Sequence, residues 1–238
     1  MAWAVKVTDE YAGWFTTLIK EDLSSATQVA QAVAALREEG PALGRPLVDR
    51  LKGAKIHHLK ELRPGSRGRS EIRIIFALIR AGRRCCCSVA TRLGTGKGGT
   101  ATTSRLPNSS TSTTQPRTRS KGMPKRTPQD WETLERELHA AGVSQAEIEA
   151  GARRLLAEAR GHQLAEARKQ LGLAQRDIAV AMGVSIARVS QIEHGEVASF
   201  EVIARYVEAL GGRLDLVADF GDRTVRLPVS DTAPNAAA

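Results

Sequence analysis

Aromatic residues are scarce. Three Trp, two Tyr and four Phe make up 4% of 238 residues, so any core is mainly aliphatic. Cysteine occurs only as the run Cys85-Cys86-Cys87. Adjacent residues give no C-x-x-C pair and no His cluster stands nearby, so neither a metal site nor a disulfide framework is expected. No stretch approaches the ~20 apolar residues that a bilayer span needs. Met1-Ala2-Trp3 opens without a basic stretch leading into an apolar run, so no signal peptide and a cytoplasmic location are expected. A phosphate loop is not expected either: in Gly94-Thr95-Gly96-Lys97-Gly98-Gly99 no Ser or Thr follows the Lys, and the pattern predicts no strand before it. No cofactor is implied.

Acidic residues are absent from 77–122, which holds nine Lys and Arg. The net charge of +9 therefore sits there, with +3 over 1–76 and −3 over 123–238. Such a basic run can add weak, salt-sensitive affinity for DNA. This segment is crowded with Ser, Thr, Gly and Arg, and its composition predicts disorder, because it offers little apolar surface to offset ordering entropy.

On either side, patterning returns. Ala4-Val5-Lys6-Val7 predicts a strand. Tyr11, Phe15, Leu18 and Ile19 predict a helix over 8–20, and Val29, Val33 and Leu36 another over 25–38, ended by Gly40-Pro41. Residues 56–62 and 72–76 read as strands around a Pro64-Gly65 turn, with His57 and His58 as strand residues rather than acid–base groups. In the last segment a helix starts at Pro128-Gln129-Asp130 and carries Trp131, Leu134 and Leu138. Ser144-Gln145-Ala146-Glu147 reads as a capping box opening a long amphipathic helix with Ile148, Leu155, Leu156 and Leu164. Leu214 and Leu216, then Val225 and Leu227, alternate around Gly221-Asp222 as a hairpin.

The densest signal lies at 175–193. Two short helices meet at Gly183, where glycine accepts positive φ. Ala179 is small enough for a close crossing, Ile178, Val184, Val189 and Ile192 form the buried stripe, and Ser185 caps the second helix. With that stripe inward, Ile186, Ala187, Arg188, Ser190 and Gln191 face outward in whole or in part. In such a motif the second helix enters the major groove. Arg188 suits guanine, Gln191 adenine, and Ile186 or Ala187 a thymine methyl, while Gln175 and Ser185 at helix N-termini suit phosphates. Glu193 reads as a structural hydrogen-bonding residue.

Over 164–212 this pattern resembles the XRE (Cro/repressor) family, carried by Val184-Ser185 and Val189-Ser190-Gln191-Ile192-Glu193-His194-Gly195. Ala174 departs from it, since the family usually places a capping Ser or Thr there, and the loss should cost about 1 kcal/mol. Residues 1–76 resemble the phage-related branch of RelE/HigB-like toxins, through the run from Gly40 to Asp49, Leu51-Lys52-Gly53, Leu59-Lys60-Glu61-Leu62-Arg63-Pro64 and Arg73-Ile74-Ile75-Phe76. That resemblance implies ribosome-dependent mRNA cleavage, for which Lys60, Arg63 and Arg73 are the candidates that hold phosphate. The same trio reads equally as a solvated basic face. The toxins' closing strands are not visible after Phe76. Two of the three cysteine codons, read one base earlier, must become leucine, and permitted codons from Ile79 onward can spell such a tail. A single-base slip across 79–122, with Met123 the former start of a second product, would explain this.

The expected fold class is therefore α+β. It comprises an incomplete RelE/HigB-like α/β sheet domain (1–78), a disordered linker (79–122), N-terminal helices of an antitoxin part (123–163), an all-α helix-turn-helix domain with a terminal β-hairpin (164–228) and a disordered tail (229–238). The order resembles a HigB–HigA pair. It implies a DNA-binding antitoxin and autorepressor of a type II toxin–antitoxin system. Its implied partners are a double-stranded DNA operator, a second copy as a homodimer and a toxin. The alternative is an mRNA interferase fused to its own antitoxin, with ribosome and mRNA as partners.

Overall fold

The computed structural model describes residues 3–51, 59–65, 72–81, 84–93, 129–197, 199–220 and 223–228. His57, His58, the Gly221-Asp222 turn, 94–128 and the 229–238 tail lie outside the described residues.

Strand β1 (Ala4–Val7) leads into helices α1 (Asp9–Glu21) and α2 (Leu23–Glu39). Thr8 Oγ1 accepts the Tyr11 N–H at 3.3 Å and Asp22 Oδ1 accepts the Ser25 N–H at 3.0 Å, so each helix starts where a side chain satisfies an orphan donor. Strands β2 (Val48–Arg50), β3 (Leu59–Leu62) and β4 (Ile72–Ala81) form an antiparallel meander. Strand β5 (Arg84–Leu93) then pairs antiparallel with β4 and parallel with β1. Strand β6 (Gln129–Asp130) closes the order β2-β3-β4-β5-β1-β6.

β5 corrects the expectation that disorder begins at 79. Residues 84–93 contain no Gly, Pro or acid, and the Gly and Pro of 77–122 all fall outside them. Averaging over the whole segment hid a ten-residue stretch that contains Val89 and Thr91 and none of the strand-breaking types. The helix expected from 128 starts at Trp131, because residues 129 and 130 are spent on β6.

Helix α3 (Trp131–Ala140) is followed by α4 (Gln145–Gln170), whose Ser144 cap accepts the Glu147 N–H at 3.2 Å. α4 is unbroken across the domain boundary expected at 163–164. Its first half belongs with α3 to the core of the sheet part: Trp131, Leu134, Leu138, Ile148 and Leu155 share one buried cluster with Tyr11, Phe15, Val29, Val33 and Phe76. Its last turns begin a second, smaller cluster. There α5 (Gln175–Met182), α6 (Ile186–Glu193) and α7 (Phe200–Ala209) bury Ile178, Met182, Val189, Ile192 and Tyr206. Strands β7 (Asp215–Asp219) and β8 (Thr224–Pro228) pair as the expected hairpin. No helix among the described residues is long and apolar enough to cross a membrane.

In the larger core Tyr11 is fully buried, and burial pushes its hydroxyl pKa far upward, so it stays a donor. That hydroxyl has no hydrogen-bond partner among the described residues. A buried donor left unmade costs about 1–3 kcal/mol. Tyr11→Phe keeps the ring contacts with Phe15 and Trp131 and removes the orphan. It is expected to raise stability by roughly 1 kcal/mol in urea unfolding. A loss of stability would show that the hydroxyl is satisfied.

Candidate nucleic-acid interface

The corner between α5 and α6 forms as its residues dictate. Gly183 sits at φ 64° and ψ 38°, and the Val184 N–H donates to the Ala179 carbonyl at 3.0 Å, which turns the chain sharply after α5. Ser185 Oγ accepts the Arg188 N–H at 3.1 Å and starts α6. Ala174 offers no side-chain acceptor, but Asp177 Oδ2 accepts its N–H at 2.7 Å, so one half of a capping box remains.

Val189 and Ile192 are buried to 0% and 1% exposure and Glu193 is buried beside them. At 100° per residue, that places Ala187 and Gln191 at the centre of the outward face, with Arg188 and Ser190 flanking. Ile186, Ala187, Arg188 and Gln191 are exposed and Ser190 is half-buried. Arg188 Nη1 donates to Gln191 Oε1 at 3.3 Å, so these two side chains lie together. Ser185, also exposed, and the half-buried Gln175 mark the starts of α6 and α5.

What holds this surface is a buried polar hub. Glu193 Oε1 accepts from Arg168 Nε at 2.6 Å and from the Tyr206 hydroxyl at 2.7 Å. Its Oε2 accepts from Arg168 Nη2 at 3.0 Å and from Gln175 Nε2 at 2.9 Å. Arg168 also donates to the Leu173 carbonyl at 2.8 Å. One carboxylate thus ties α4, α5, α6 and α7 together. Burial pushes the Glu193 carboxyl up, but the hydrogen bonds from Arg168, Gln175 and Tyr206 outweigh it and hold it below the usual range. Hydrogen bonding to Glu193 raises Arg168 in turn. Sequence reasoning found Glu193 as structural but missed Arg168 and Tyr206. It also left Gln175 free for phosphate, whereas its amide nitrogen is committed to Glu193.

Backbones meet closely behind α6. A Cβ on Gly161 would sit 2.6 Å from the Glu193 carbonyl, and one on Gly195 would sit 2.4 Å from the Ala157 carbonyl. Both positions need glycine because α4 and the end of α6 touch main chain to main chain.

The N-terminal trio does not converge. Lys60 pairs with Phe76 and shares the helix-covered face with Leu62, and its ammonium donates to the Pro41 carbonyl at 3.1 Å. Glu61 lies on the other face, where Arg63 Nε and Arg73 Nε both meet its Oε1, at 3.2 and 3.0 Å. Arg63 also reaches Asp49 at 3.4 Å, and Asp49 is further paired with Arg45 at 2.8 Å. The arginines are half-exposed and matched with carboxylates. Among the described residues no group of His, Cys, Asp and Glu is arranged to hold a metal.

Residues 164–217 match the family described as Helix-turn-helix, and 18–89 that described as Phage derived protein Gp49-like. A Mycobacterium tuberculosis protein named as the antitoxin HigA3 is 45% identical over 100 residues, which cover 39% of this chain and 92% of that protein. The chain belongs to the HigA antitoxin family. Its HigA-like part follows a HigB-like one. A protein of the same organism named as the toxin HigB2 is 46% identical over 77 residues, covering 32% of this chain but only 36% of that toxin. A solved structure described as DNA bound antitoxin HigA3 is 47% identical, with 29% of this chain and 92% of that one covered and a TM-score of 0.26.

Proposed function

We propose that this HigA-family chain is a sequence-specific DNA-binding repressor acting in the cytoplasm on its own operator. The observation that carries the reading is the outward face of α6, presented on a hub that fixes all four helices of the domain. In this reading α6 enters the major groove. Arg188 pairs with guanine O6 and N7, Gln191 with adenine, Ser190 with a neighbouring base edge, and Ile186 or Ala187 with a thymine methyl. Gln175 and Ser185 stand at helix N-termini, where backbone amides attract phosphate.

The protein acts as a homodimer on a two-fold site, and the hairpin supplies the contact. Leu216 faces Leu227 and Ala218 faces Val225 on one apolar side of β7 and β8, with Leu227 48% exposed. Two strands alone are marginal in water, so a second copy of that face is what would stabilise them. The ribonuclease alternative would need Lys60, Arg63 and Arg73 to act together, and they lie on opposite faces of the sheet.

A gel shift of the full chain on the gene's own upstream DNA tests the reading, with Arg188→Ala beside it. The wild type is expected to bind. The variant is expected to lose about 1–3 kcal/mol, or roughly 5- to 150-fold, and to relax specificity at one position of each half-site. Equal binding by both removes Arg188 from base reading, and no binding by the wild type removes the operator.

A further inference from the structure

The last residue of α5 is held from α7. A helix C-terminus leaves four carbonyls without intrahelical partners. In α5 the Gly183 and Val184 amides take two of them, at Val180 and Ala179, 3.1 and 3.0 Å away. The Met182 carbonyl is taken by a side chain instead: Arg205 Nη2 donates to it at 2.6 Å. A guanidinium there also complements the negative end of the helix dipole. Tyr206, the next residue of α7, lies about 100° round that helix and binds Glu193, the last residue of α6. Two consecutive residues of α7 therefore grip the chain on either side of α6. The hub acts at the Glu193 end, and Arg205 acts at the corner that leads to the Ser185 cap.

We infer that Arg205 is a positioning residue for base reading, which fixes the N-terminal end of α6 without touching the DNA. The inference rests on the reading of α6 as the helix that enters the groove. The lever is short and the tolerance small. Ile186 stands at the far end of α6 from Glu193, about 10 Å away, so a pivot of about 10° around the Glu193 end shifts it by roughly 2 Å. A hydrogen bond to a base edge does not survive such a shift, because its donor–acceptor distance ranges over only about 0.5 Å. General attraction to the phosphates tolerates it. Arg205 is exposed, and its bond meets a turn rather than the core, so its loss acts on the orientation of α6 more than on folding.

The test is Arg205→Met in the full chain, which keeps an unbranched stem and removes the charge and the donors. Helical signal and urea unfolding are measured first. Amide exchange at Val184, whose N–H closes the corner, is followed by NMR without DNA and is expected to speed up several-fold. Affinity for the gene's upstream duplex is expected to fall about tenfold, the size of one charge-assisted hydrogen bond acting on the binding-competent fraction. Affinity for an unrelated duplex, and the dependence of binding on salt, should stay as in the wild type. Equal losses on both duplexes with a salt slope shallower by about 0.9 would make Arg205 a phosphate contact and overturn the inference. Collapse of the helical signal overturns it too, by making Arg205 a residue of the fold. So does unchanged exchange at Val184, or unchanged affinity for the upstream duplex. A wild type that binds the two duplexes equally removes the reading of α6 instead, and exchange at Val184 still decides whether Arg205 holds the corner.

Discussion

Arg168→Ala is expected to unfold the helix-turn-helix domain or leave it barely stable, with a loss of about 3–5 kcal/mol. The guanidinium is 9% exposed and donates three bonds, two of them to Glu193, which is 6% exposed. Removing it leaves a buried carboxylate with only Gln175 and Tyr206 as donors. A loss of that size is a large share of a domain's typical margin of roughly 5–15 kcal/mol. Operator binding should disappear with it, although Arg168 touches no DNA in the proposed mode. The pH dependence gives a second readout. In the wild type the Glu193 carboxyl is held below its unfolded value, so its contribution is complete above that value and is lost as pH falls through the folded one. In Arg168→Ala burial prevails and the carboxyl moves up, so the deficit of the variant should shrink as the pH approaches about 4. Urea unfolding at neutral and acid pH measures both. A variant within about 0.5 kcal/mol of wild type at neutral pH would mean that the pair is not closed.

Gly195→Ala is expected to be nearly as damaging, for steric reasons alone. Its φ of 74° lies in the left-handed region, and the added Cβ would stand 2.4 Å from Ala157 main-chain atoms and 2.5 Å from the Glu158 nitrogen. Left-handed backbone costs an alanine about 1–2 kcal/mol, and overpacking against main chain that cannot rotate aside adds roughly 1–3 kcal/mol. The relief available is for α6 to lift from α4, which tilts the face that reads bases. Binding should therefore fall by more than the lost stability explains. Paired unfolding and gel-shift measurements separate the two effects. Unchanged unfolding in Gly195→Ala would refute the main-chain crossing.

The corner around Gly183 could be read from sequence because everything that makes it is local: a glycine, a cap at Ser185, and an apolar stripe within 15 residues. The hub could not. Arg168 and Glu193 are 25 residues apart and Glu193 and Tyr206 are 13 apart, on helices whose mutual rotation no local pattern sets. The same limit applied to Trp131, Leu134 and Leu138. Their stripe was plain, but the rings it would meet, on α1, were not. β5 escaped notice because its residues were weighed together with flanking Gly, Ser and Thr. Strand parity separates the candidate trio: one residue of an even–odd alternation sends Lys60 through the sheet plane while Arg63 and Arg73 stay on the far side.

α4 runs for 26 residues with no Pro and no break, about 39 Å of helix. The crossing with α2 at Gly151 and the crossing with α6 at Gly161 lie ten residues apart on it, roughly 15 Å. There is no joint between them. Whatever swings the sheet must swing the reading head by the same angle, so each half serves as ballast for the other on the duplex.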